Sequence, residues 1–135
     1  MVTAMDQPKK KQRARRGELL PEEGVLVVRG DLLNPDELES DARANFDLYD
    51  FYGISVFAEV GGVDVDWISG HKLRRAEWLV LFEVRHVLAA GLDLWDTGLT
   101  PHYDVVHTDI VELVTRLVGC RHRLVRNVHY QGGGS

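Results

Sequence analysis

Val25, Leu26, Val27 and Val28 form an unbroken apolar run between Gly24 and Gly30, three of the four β-branched. Such a run fits a strand buried on both faces, and so a central one. Asn34, Pro35 and Glu37 follow as an N-cap, a proline at the first helical position and a capping-box carboxylate, which starts a helix. Its buried face should carry Leu38, Ala42, Asn45 or Phe46, and Tyr49, leaving Glu37, Glu39, Asp41 and Arg43 outside. Gly53 breaks this pattern. Ile54 to Glu59 alternates like a strand and ends at the Gly61–Gly62 turn.

Residues 64–75 read as a short helix with an irregular end, because Gly70 interrupts them. A strand is predicted over 78–82, a short helix over 84–90 closed by Gly91, and two further strands over 92–95 and 103–107. The strongest helix signal lies at 109–118. Asp109 and Glu112 make a capping box, and Ile110, Leu113, Val114, Leu117 and Val118 complete one apolar stripe. A last strand is predicted over 123–128. Strands alternating with helices predict a single compact α+β domain over residues 18–130: a mixed sheet of about five or six short strands, covered by two longer and one or two short helices. The glycine-rich residues 131–135 are expected to be flexible.

At 135 residues and 44% hydrophobic, the chain has the size and composition of one domain with a full core. The net charge of −5 hides a division. Residues 1–16 hold six basic side chains, Lys9, Lys10, Lys11, Arg13, Arg15 and Arg16, against Asp6 alone. The body holds ten basic and twenty acidic ones and is therefore strongly acidic. Residues 1–17 read as a disordered basic tail, and any nucleic-acid contact is expected there rather than on a body that repels phosphate. No apolar run approaches the roughly 18 residues that span a bilayer, so no membrane partner is expected. Cys120 is the only cysteine, which precludes an internal disulfide and fits a reducing, cytoplasmic location.

Three groups of residues could carry chemistry. His102, Asp104 and His107 have metal-ligand side chains, though their spacing matches no recognised metalloenzyme motif and an extended segment would turn His107 away from the other two. Arg29, Ser55 and Glu83 end or occupy successive predicted strands and loosely resemble the arginine, serine and glutamate order of ADP-ribosyltransferase-like domains. The resemblance implies an arginine on the phosphates of a nicotinamide dinucleotide, Tyr52 stacked on its nicotinamide and Glu83 on a ribose hydroxyl. Ser55 lacks the usual flanking threonine and serine, and Glu83 lacks an acidic residue two positions earlier. Cys120 sits beside Arg121, His122 and Arg123, which favour a thiolate, but at a helix C-terminus, which disfavours one. No motif calls for a cofactor.

The segments GVLVVRGDLL (24–33), FYGISVFAE (51–59) and PHYDVVH (101–107) resemble those of a family of small actinobacterial proteins. The resemblance implies a compact intracellular domain and transfers neither an activity nor a functional residue. The function read from these features is that of a small interaction protein, such as one component of a two-gene toxin–antitoxin-like module acting through a protein partner or by self-association. The alternatives are a dinucleotide-consuming enzyme using Arg29, Ser55 and Glu83, and a nucleic-acid-binding accessory protein using the tail.

Overall fold

The computed structural model describes residues 12–13 and 20–131. Seven strands, β1 (Gln12–Arg13), β2 (Val25–Arg29), β3 (Tyr52–Ala58), β4 (Trp78–Glu83), β5 (Asp93–Leu99), β6 (His102–His107) and β7 (Arg123–Arg126), form one sheet in the order β1-β5-β6-β3-β2-β4-β7. Four α-helices accompany it: α1 (Pro35–Tyr49), α2 (Val65–His71), α3 (Val84–Ala89) and α4 (Ile110–Gly119). The architecture is the α+β domain expected from the alternation of patterns.

β2 lies between β3 and β4, and its Leu26, Val27 and Val28 are all buried. Side chains alternate across a strand, so one run feeds two cores. Leu26 and Val28 join Ile54, Val80 and Phe82 beneath Leu38 and Ala42 of α1 and Leu113 and Leu117 of α4. Val27 joins Leu79 and Leu81 on the opposite face, covered by Ile68 of α2 and by Leu73. Burying side chains such as Leu26, Phe82 and Leu113 stabilises the fold by about 1.5–3 kcal/mol each before ordering costs.

The N-caps are those that the sequence specifies, but the capping box at Asp109 does not close: its N–H donates to His107 Nδ1, and Glu112 pairs with Arg116. Asn34 accepts a hydrogen bond from the Asp36 N–H at 2.8 Å, and Asp109 accepts one from the Glu112 N–H at 3.0 Å. Gly91 takes the left-handed conformation with φ 81° after α3. Helix α1 ends instead on Asp50, a non-glycine residue at φ 65°. Asn45, rather than Phe46, is the buried member of its pair, because its Nδ2 donates to the Gly53 carbonyl at 2.7 Å and ties the helix end to the start of β3.

Two expectations change. Among the described residues every strand pairing is antiparallel, not mixed. The β3–α2–β4 crossover does run its two strands in one direction, but β2 lies between them and leaves no parallel neighbours. Gln12 and Arg13, inside the stretch expected to be a disordered tail, pair with Asp96 and Trp95 on the edge of β5. Lys9, Lys10, Lys11, Arg15 and Arg16 lie outside the described residues, as do positions 132–135.

Candidate functional site

The central pair of strands comes apart at one end. β2 and β3 pair only through Leu26 with Ala58 and Val27 with Phe57. Two steps further the same antiparallel register would set Arg29 opposite Ser55. There the Ser55 N–H donates instead to Asp41 Oδ2, at 3.0 Å, from helix α1. A carboxylate thus occupies the donor that a strand neighbour would have used, and the strands splay. The gap is a cavity of about 250 Å³ lined by Arg29, Asp41, Ser55, Phe57 and Leu73 along with Val27 and Val28. The sequence-predicted pair Arg29 and Ser55 therefore meets in one cavity.

Arg29 also borders a larger crevice of about 540 Å³ at the ends of β2, β4 and β7, whose other walls include Arg75, Glu77, Trp78, Leu124 and Tyr130. Asn127 assembles those walls. Its side chain is 2% exposed, and its Nδ2 donates to the carbonyls of Leu73 and Ala76 at 2.9 and 3.0 Å. Its backbone N–H donates to the Glu77 carbonyl at 2.8 Å, and its Oδ1 accepts from the His129 N–H at 2.9 Å. Gln131 N–H then donates to the Arg74 carbonyl at 2.7 Å. The loop carrying Arg75 and Glu77 is in this way fastened to the C-terminal turn carrying Tyr130.

Gly30 completes the fit. A Cβ at that position would lie 2.7 Å from Trp78 Cβ and 2.8 Å from the Trp78 carbonyl oxygen, so only glycine lets the turn after β2 pass so close. Arg126 lies over the Trp78 ring at 5.9 Å from its centroid and pairs with Glu77 at 3.3 Å.

The other expected site residues do not converge. Glu83 is the register partner of Val25, at the opposite end of β2 from Arg29, about 13 Å away along the strand. It pairs there with Arg85 at 3.2 Å and lies 3.6 Å from His86 Nδ1, beside a small cavity also lined by Arg121 and His122. The arginine, serine and glutamate order along the chain thus gives no triad in space. Tyr52 is three positions from Ser55 and so faces the other side of the sheet, where its ring stacks on Phe46 with centroids 4.5 Å apart. It is no stacking platform for a ligand beside Ser55; Phe57 is the aromatic in that cavity.

His102 Nε2 stands 4.0 Å from Asp104 Oδ1, and its Nδ1 is 3.0 Å from Thr97 Oγ1. His107 sits at the far end of β6, where its Nδ1 accepts from the Asp109 N–H at 2.9 Å. The two imidazoles are five positions apart on one strand and so turn to opposite faces. Among the described residues no group of three histidine, cysteine or acidic side chains could hold a metal ion, so the expected trio is corrected on geometry. Cys120 is buried at the end of α4, and burial pushes its thiol pKa up, the reverse of activation.

Sequence reasoning missed Asp41, Arg75, Glu77, Trp78, Asn127 and Tyr130. No family model, curated protein or solved structure matches the chain. Among the described residues no helix is long and apolar enough to cross a membrane.

Proposed function

We propose that this chain is a small interaction protein that acts by docking a partner polypeptide along strand β7, as one component of a two-gene toxin–antitoxin-like module. The observation that supports this reading is the gathering of exposed apolar side chains at this end of the sheet. Leu124 on β7 is 58% exposed and Val128 just beyond it is 84% exposed, with Trp78 and Tyr130 alongside. Among the described strands β7 pairs only with β4, so its outer backbone groups are open to an added strand. Apolar surface clustered at an open sheet edge is characteristic of partner docking.

Antiparallel pairing of β7 with a second copy would set Arg123 against Arg126 of that copy, a like-charge contact that favours a different polypeptide over self-association. The dinucleotide-consuming reading keeps the Arg29 and Ser55 cavity and loses its glutamate. The tail-led nucleic-acid reading rests on residues outside those described, apart from Arg13, whose backbone pairs with Trp95.

Co-expression with the products of adjacent genes, followed by size-exclusion chromatography, tests the proposal. A stable complex is expected from the native chain and its loss from Leu124→Asp. A complex that survives both Leu124→Asp and Val128→Asp would place docking elsewhere.

A further inference from the structure

We propose that the crevice between Arg29, Arg75, Trp78 and Tyr130 binds a 5′-phosphorylated nucleoside, either free or as the terminal nucleotide of a strand. Its volume of about 540 Å³ falls within the roughly 300–1,000 Å³ of small-molecule sites. Its lining combines guanidinium groups with aromatic rings, as such a ligand combines a phosphate with a base.

Two arginines, Arg29 and Arg75, line it in a body that is otherwise strongly acidic. Arg75 is exposed and makes no ion pair among the described residues. A guanidinium offers paired N–H donors in the geometry of a phosphate's oxygens, which makes it a phosphate ligand of first choice. Glu77, the one acidic wall, is countered by Arg126 at 3.3 Å, so it does not cancel the cationic lining. Its remaining carboxylate lone pairs are suited to accept from ribose hydroxyls.

Two aromatic rings also line the crevice, and Arg126 lies over that of Trp78. Trp78 is 44% exposed and Tyr130 36%. A heterocyclic base covers such rings by stacking. A simple anion would leave the rings wet, and an uncharged aromatic would leave Arg75 unused; a phosphate joined to a base satisfies both.

The site is also built in advance. The buried hydrogen bonds of Asn127 fix the Arg75 loop against the Tyr130 turn, and Gly30 seats the turn after β2 on Trp78. Pre-fastened walls reduce the ordering cost of binding. The crevice shares Trp78, Leu124 and Tyr130 with the proposed docking edge, and Arg75→Ala, which lies off that edge, separates ligand binding from partner docking.

Isothermal titration calorimetry of the full chain tests it with adenosine 5′-monophosphate, adenosine, ribose 5-phosphate, inorganic phosphate and a 5′-phosphorylated tetranucleotide. Adenosine 5′-monophosphate should bind saturably, with adenosine, ribose 5-phosphate and phosphate each about tenfold weaker or more. Arg75→Ala and Trp78→Leu should each weaken binding about tenfold, whereas Arg85→Ala, at the far end of the sheet, should not change it. Thermal melts of the variants confirm that they fold. A tetranucleotide that binds tighter than the mononucleotide assigns the site to strand ends, and the reverse order assigns it to free nucleotides; both support the site. Absence of saturable binding by every phosphorylated nucleoside, or equal affinity in native chain and Arg75→Ala, overturns it.

Discussion

Asn127 donates a hydrogen bond of 2.9 Å to the carbonyl of Leu73, 54 positions earlier in the chain. That bond and its companion to Ala76 join the C-terminal turn to the loop before β4, and the crevice exists because of them. Replacing Asn127 by Ala strips the buried Ala76 carbonyl of its donor and leaves the Leu73 carbonyl with the Ala76 N–H alone. The expected cost is about 2 kcal/mol or more of stability, read as a lower denaturant midpoint. Asn127→Asp should cost at least as much, since a carboxylate offers no donor to either carbonyl.

Gly30→Ala should disturb Trp78 selectively. The added methyl would overlap the Trp78 backbone and Cβ, which cannot swing aside as a flexible side-chain end could. Loss of about 1–3 kcal/mol is expected, with a shift of the Trp78 indole resonance in a ¹H–¹⁵N spectrum larger than those of Trp67 and Trp95. Unchanged stability and an unmoved resonance would mean that the close approach is not a constraint.

Asp41 holds the splayed end of β3 by accepting from the Ser55 N–H. Asp41→Ala should cost about 1 kcal/mol, and Asp41→Asn, which keeps a carbonyl acceptor, distinctly less. Paired denaturation curves separate the two. Equal losses would assign the effect to charge rather than to the acceptor.

Stability should fall at alkaline pH. Burial raises the pKa of Cys120, and burial followed by the nearby Asp96 charge raises that of Tyr103. A group with a raised folded-state pKa contributes stability that is complete below its unfolded value and is lost as pH climbs through the folded value. For Cys120 that decline begins above about pH 8.5 and for Tyr103 above about pH 10. Denaturant midpoints taken between pH 7 and 11 should fall through this range, with the first part of the fall reduced in Cys120→Ala. The same burial predicts slow reaction of Cys120 with a thiol reagent in the folded chain and fast reaction once it is unfolded.

The elements of this fold are legible where a pattern is local. The apolar run from Val25 to Val28, the caps at Asn34 and Asp109 and the stripe from Ile110 to Val118 each declare an element within a few residues, and the structure has them there. The neighbour relations are not local. Nothing near Tyr52 or Glu83 says that β2 will lie between β3 and β4, and that placement sends Glu83 to the wrong end of Arg29 and makes the sheet antiparallel. Arg29 and Ser55 were within reach because both sit on strands whose register is nearly continuous. The crevice was out of reach: Trp78 reads as the first residue of a strand, Arg75 as the irregular end of a short helix and Asn127 as a residue within the last strand, and only a pairing across 54 positions joins them.

The proposal that this chain works through a protein partner is tested most directly by a native mass spectrum of the full chain, purified from a host that also expresses its neighbouring genes. The account predicts a species with the mass of this chain plus a second polypeptide, absent when Leu124→Asp is used. A bare monomer under conditions that preserve other complexes would contradict it.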